Sequence, residues 1–155
     1  METVNELFMH EAIAEARLAI ALDEVPVGAV IVRNNQIIAK AHNLRETTQQ
    51  ASAHAEMLAI KQACEVVGYW RLDDCDIYIT MEPCLMCCGA IINSRIANVY
   101  YGARDTRIGC VEGALNVFSV AEFNHHPNYQ GGILEKECSA ILSEYFKAKR
   151  NQSNK

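Results

Sequence analysis

Strand-like and helix-like stretches take turns along this chain, and few architectures accept that order. Met9, Ala12, Ile13, Ala16, Ala19 and Ile20 recur at helical spacing near the start, so a first amphipathic helix is expected. A β-branched run follows from Val25 to Arg33, then Asn34-Asn35, then Ile37 and Ile38 up to Ala41. Two apolar runs around an Asn-Asn pair predict a hairpin. The polar stretch from Asn43 to Gln50 reads as a loop, and Ser52 as a helix N-cap. Ala55, Leu58, Ala59, Gln62, Ala63 and Val66 then mark a second helix. Asp76–Thr80 is a third strand. Pro83 stops it and opens a helix from about Cys84 to Ser94. A fourth strand ends at Ala103, and Arg104 to Gly113 is loop-like. A short amphipathic piece spans Leu115 to Val120, Asn124 to Gly132 reads as irregular, and a last helix covers Glu135 to Arg150. This order predicts one sheet covered by helices, antiparallel at one edge and parallel beyond it.

A chain of 155 residues, half of them apolar and 21% charged, suits one domain with a real core. One domain over 1–150 is expected, with a polar tail at 151–155. The net charge of −5 argues against a wholly basic face that coats nucleic acid. A local basic patch does exist: Lys147, Lys149, Arg150 and Lys155 gather at the end with no acid among them. These residues suit phosphate contacts, and equally a solvated helix end. No run approaches the ~18 apolar residues of a membrane span, and the start lacks the pattern of a secretory leader. Seven cysteines form no disulfide framework by spacing, so a reducing, cytoplasmic compartment is expected.

Two short motifs carry chemistry. Cys84 and Cys87 lie three apart at a helix start, where unpaired N–H groups favour thiolate. His54 adds a neutral imidazole. Three protein ligands leave the fourth tetrahedral position open, which is the pattern of a catalytic zinc site. One zinc per chain is expected, with its water brought to a pKa of about 7. Glu56 stands two residues from His54 and suits a proton shuttle rather than a ligand. A lone CxxC is weak evidence, since redox pairs also use one. His-Ala-Glu followed by Pro-Cys-x-x-Cys is specific: it is the signature of zinc-dependent nucleobase deaminases.

HAEMLAI, TMEPCLMCCGAIINSRI, VYYGARD and the GIL…EC stretch near the C-terminus together resemble the bacterial tRNA-specific adenosine deaminases. The resemblance covers nearly the whole chain. It implies a cytidine-deaminase-like three-layer α/β/α sandwich around a five-stranded mixed sheet. It implies a homodimer that converts adenosine to inosine at the wobble position of a tRNA anticodon, that of an arginine tRNA. His54, Cys84 and Cys87 match the family's metal ligands and Glu56 its proton shuttle. Asn43 matches an asparagine that holds the target nucleoside, and Val27 and Ala29 match the strand lining the base pocket. Asp105 matches an acid near the preceding nucleotide, and Asn124-His125 a pair in the RNA-facing region. The chain departs from the family pattern at Val111-Glu112-Gly113-Ala114, where relatives carry Gly followed by Ser or Thr.

Two other readings stand beside this one. A deaminase of a free nucleobase or nucleoside, such as guanine or cytidine, fits the same motifs and the acidic charge. A zinc-stabilised RNA-binding module is the non-enzymatic alternative, against which Glu56 speaks, because a structural site needs no shuttle. Asn43 also suits a turn cap and Asp105 a loop cap, while His125 and His126 read as loop histidines.

Overall fold

The computed structural model describes residues 1–153. Helix α1 (Val4–Ala21) starts with a capping box, in which Thr3 and Glu6 exchange side-chain-to-backbone hydrogen bonds. The hairpin of β1 (Gly28–Arg33) and β2 (Gln36–His42) turns through Asn34 and Asn35. Both have positive φ, 52° and 59°, as a two-residue turn between right-twisted strands requires. Helix α3 (Ala55–Val67) leads to β3 (Cys75–Met81), α4 (Leu85–Ser94) to β4 (Asn98–Ala103), and α5 (Glu135–Ser153) closes the described chain.

The sheet order is β2-β1-β3-β4-β5, where β5 is Asn128–Gln130. β1 runs antiparallel to both neighbours, and β3, β4 and β5 run parallel. β2 and β3 therefore point the same way, and α3 and α4 are crossover connections of the kind parallel strands need. Alternation along the strands assigns the two faces. Ala29, Ile31, Ile77 and Ile79 pack into a core beneath α3 and α4. Val30, Val32 and Tyr78 turn to the other side, against Met9 and Ile13 of α1 and Cys138 and Ile141 of α5. The result is the expected three-layer α/β/α sandwich on a five-stranded mixed sheet. Burying Met9 and Ile13 contributes about 1.5–3 kcal/mol each. The α1 layer lies close because Gly28 permits it: a Cβ there would fall 2.0 Å from the Ala12 carbonyl oxygen.

Five expectations need correcting. A one-turn helix α2 (Arg45–Thr48) sits inside the expected loop 43–50. It forms because the buried Glu24 carboxylate accepts from the Glu46 and Thr47 amides and the Thr47 hydroxyl. Burial alone would raise the Glu24 pKa, but those bonds leave it lowered overall. His54, not Ser52, occupies the N-cap of α3. Strand β5 lies within the expected irregular segment. Ile20 faces solvent at 44% exposure, because the apolar stripe of α1 ends at Ala19 on the sheet side. Helix α5 also runs beyond Arg150 to Ser153, so part of the expected tail is helical; residues 154–155 lie outside the described residues. Among the described residues no helix is long and apolar enough to cross a membrane, and all seven cysteines are unpaired thiols.

Candidate metal centre

His54 and Cys84 occupy equivalent places, each the extended N-cap residue of a helix, with ψ of 154° and 177°. Neither side chain caps its own helix, so both are directed outward from a helix start. Cys87 is the third residue of α4, one turn on from Cys84. The cluster therefore sits at the N-termini of α3 and α4, where both helix dipoles favour negative charge. His54 Nδ1 lies 3.7 Å from Cys84 Sγ and 3.5 Å from Cys87 Sγ. The three donor atoms all fall within 4.8 Å of one another. A tetrahedral zinc with its usual bond lengths sets nitrogen and sulfur ligands ~3.6 Å apart, so the spacing fits that ion.

The charges fit as well. A hydrogen bond from the Cys87 thiol is the main reason the Cys84 sulfur is lowered to about 4, with His54 adding to it against burial. Cys87 is pushed up by the Cys84 sulfur and by burial. The His54 imidazole is raised, chiefly by its bond to Cys84. A cation bound here would release the proton that the two sulfurs share. Glu56, 4% exposed, has its carboxyl raised by burial, partly offset by its own backbone amide and by His54. A buried acid whose proton affinity is raised can both accept and return a proton. Its charge acts on both His54 and Cys87, which puts it beside the cluster.

The remaining sequence-predicted residues divide. Val27 and Ala29 lie where β1 begins, and Ala29 is fully buried in the α3–α4 core. Asn43 is 7% exposed, and both ends of its amide are engaged: Nδ2 donates to the Val25 carbonyl and Oδ1 accepts from the Arg45 amide. It joins β1 to the start of α2. Asp105 Oδ1 accepts from the Arg107 and Ile108 amides, so it caps its own loop. Asn124 is exposed beside Gly89, Ile92 and Asn93 of α4. His125 and His126 bond to the Ile96 and Val120 carbonyls and are away from the cluster. Of the basic residues, Lys147 and Arg150 are exposed. Lys149 is paired with Asp23 at 2.7 Å. The turn after α1 reaches back to α5, where Tyr145 also bonds to Asp23.

Two residues went unread in the sequence. Glu24 builds α2. Glu82 is buried at 4% exposure between β3 and Pro83, and it gathers four backbone amides of the loop 104–114. The available signal was an acid closing the apolar run that leads to Pro83-Cys84.

A sheet covered on both faces, with an open-sided His-Cys-Cys cluster beside a buried acid, defines a deaminase. A family model described as MafB19-like deaminase matches residues 4–150. The chain belongs to the family of tRNA-specific adenosine deaminases. It is 48% identical to the tRNA-specific adenosine deaminase of Bacillus subtilis over 97% of this chain and 93% of that one. It is 44% identical to that of Aquifex aeolicus, over 95% and 97%. A structure from a study of A-to-I editing by tRNA:A34 deaminases at the wobble position superposes with a TM-score of 0.85 at 43% identity, covering 88% of this chain and 99% of that one. A Bacillus subtilis guanine deaminase structure gives 0.63 at 34% identity, over 97% and 95%.

Proposed function

We propose that this protein hydrolyses the exocyclic amine of an adenosine in a tRNA anticodon loop, at the wobble position, leaving inosine and ammonia. The observation that carries the chemistry is the tetrahedral-edge spacing of His54, Cys84 and Cys87 beside buried Glu56. When bound, a zinc ion supplies a Lewis acid that brings a water toward a pKa of about 7. Glu56 does the proton work: it takes one proton from the attacking water and gives it to the ring nitrogen, then takes the second from the same oxygen, now bonded to the ring carbon, and passes it to the amine as the C–N bond breaks and the carbonyl forms. Burial supports this, since it raises the carboxyl's affinity for a proton. Asn43, fixed by Val25 and Arg45 and donating its backbone amide to the Val27 carbonyl, is the residue we assign to the target nucleoside.

A polynucleotide substrate is favoured by what adjoins the site. A cavity of about 600 Å³ lies between α2 and α5, lined by Val25, Arg45, Thr47, Tyr145, Phe146 and Lys149. Arg45 and Thr47 belong to α2, so the segment that leads into the His54 N-cap also forms a wall of the cavity. Aromatic rings with basic side chains suit the stacked, splayed bases of an RNA loop. The guanine deaminase likeness supports a second reading, a free nucleobase substrate. One experiment separates them: inosine formation on an anticodon stem-loop, measured against deamination of free adenosine, cytidine and guanine. Faster turnover of a free base than of the stem-loop overturns the RNA reading. The same reading includes a cytoplasmic homodimer with α4 near the interface, so sedimentation at micromolar concentration gives twice the chain mass.

The basic patch makes its own prediction. Neutralising Lys147 and Arg150 together flattens the salt dependence of stem-loop binding, by about 0.7–0.9 in slope per phosphate contact. Neutralising Lys149 acts differently, because it frees Asp23 and loosens the end of α5 from the α1 turn. An unchanged slope in the double variant makes the patch a solvated helix end.

A further inference from the structure

The loop 104–114 carries Asp105 and the exposed Ile108 and packs on Glu82 and Pro83, next to the ligand Cys84; it contains no regular structure to hold it. One carboxylate does that work. Glu82 Oε2 accepts from the amides of Val111 at 3.1 Å, Glu112 at 2.9 Å and Gly113 at 2.8 Å. Its Oε1 accepts from the Asp105 amide at 3.1 Å. The next residue continues the attachment: the Pro83 carbonyl accepts from the Cys110 amide at 3.0 Å. Gly109 and Gly113 make room for the arrangement. A Cβ at Gly109 would stand 2.4 Å from the Glu82 carboxyl carbon, and one at Gly113 would stand 2.0 Å from the Asp105 carbonyl oxygen. Glu112 is held from its other side by the Tyr101 hydroxyl. Charge-assisted bonds to a buried carboxylate are the strong kind, and four of them fix both ends of the loop to the residue two before Cys84.

The geometry points to Glu82 as a positioning residue: it holds the loop 105–113 in register with the metal cluster, and so sets how an RNA loop is received there. It touches neither substrate nor ligand. The Met81–Cys84 segment thereby fixes two things at once, a metal ligand and the wall facing it. The departure at Val111-Glu112-Gly113-Ala114 falls on the amides Glu82 gathers, so this chain keeps the loop through backbone groups, which do not depend on side-chain identity. The inference rests on the RNA-deaminase reading above.

The test compares wild type, Glu82→Gln and Gly109→Ala. Glutamine offers one acceptor oxygen and turns an NH2 toward backbone donors. Gly109→Ala leaves Glu82 intact and pushes the loop off it, so it serves if the first variant does not fold. Three readouts are taken: zinc per chain, hydrogen-exchange protection of the amides of Asp105 and 111–113, and KM and kcat on an anticodon stem-loop. The expected result is one zinc per chain, protection lost in the loop and kept in β3 and α3, and KM raised with kcat little changed. If the held loop falls to about a tenth of the population, KM rises about tenfold. Loss of loop protection with wild-type KM makes Glu82 merely structural and overturns the inference. So does a kcat loss that tracks lost zinc. A wild type that forms no inosine in the stem-loop overturns the functional reading, and this inference with it.

Discussion

Glu56→Gln is expected to keep the fold and one zinc per chain while turnover falls by about 10²–10⁴-fold, the usual contribution of a positioned acid–base group. The amide has nearly the shape of the carboxyl but cannot take up and release a proton. Stability should not suffer. The native carboxyl is raised by burial, which means the site disfavours its charge, and a neutral amide removes that cost. The variant should therefore melt no lower than wild type, while single-turnover inosine formation collapses. Because ligands and substrate-lining residues are untouched, KM should stay within a few-fold of wild type. Wild-type turnover, or a zinc content that falls with activity, would remove Glu56 from the proton pathway.

Metal removal should have the second large effect, and on two observables together. Chelation should abolish turnover and also lower the thermal midpoint. His54 meets the start of α4 through its contacts with the Cys84 and Cys87 sulfurs, and a bound ion would tie the two helix starts together. An ion that binds the native state alone stabilises it by about 2.7 kcal/mol at 100 times its Kd and about 4.1 kcal/mol at 1,000 times. Readdition of zinc should restore both observables in parallel. Cys87→Ala should reproduce the metal-free state and resist rescue, since it also removes a fully buried side chain. An enzyme that keeps turnover after its metal content reaches zero would refute the zinc mechanism.

The parts of the molecule legible in its sequence are those whose signal is local. The hairpin could be read because Asn34 and Asn35 accept positive φ and the flanking runs are β-branched. The cluster could be read because its residues fall in two short motifs. Strand β5 was hidden, since its three residues are all exposed and show no alternation; only parallel pairing to β4 makes it a strand. Helix α2 was hidden because its N-terminal amides are satisfied by Glu24, 22 and 23 residues earlier. Glu82 was hidden for the same reason, its partners lying 23 to 31 residues ahead. In the last two cases a buried acid organises distant backbone, and no period in the sequence announces it. Lys149 shows the converse. Composition marked it as a free cation, and the fold gave it an aspartate 126 residues away.

The placement of the ligands before β4 has a consequence for how the protein comes into being on the ribosome. His54, Cys84 and Cys87 all precede the last two strands and α5. The α3–α4 side of the sheet, with its share of β1 and β3, has left the exit tunnel while α5 is still unmade. Chains fold from the N-terminus as they emerge, so the ion can be captured by a half-built enzyme whose α1 layer still lacks its companion helix. The loop fastened by Glu82 and the end of α5 latched to Asp23 come afterwards. The residues that would hold the metal are thus made before the loop that Glu82 fastens and before the helix latched to Asp23.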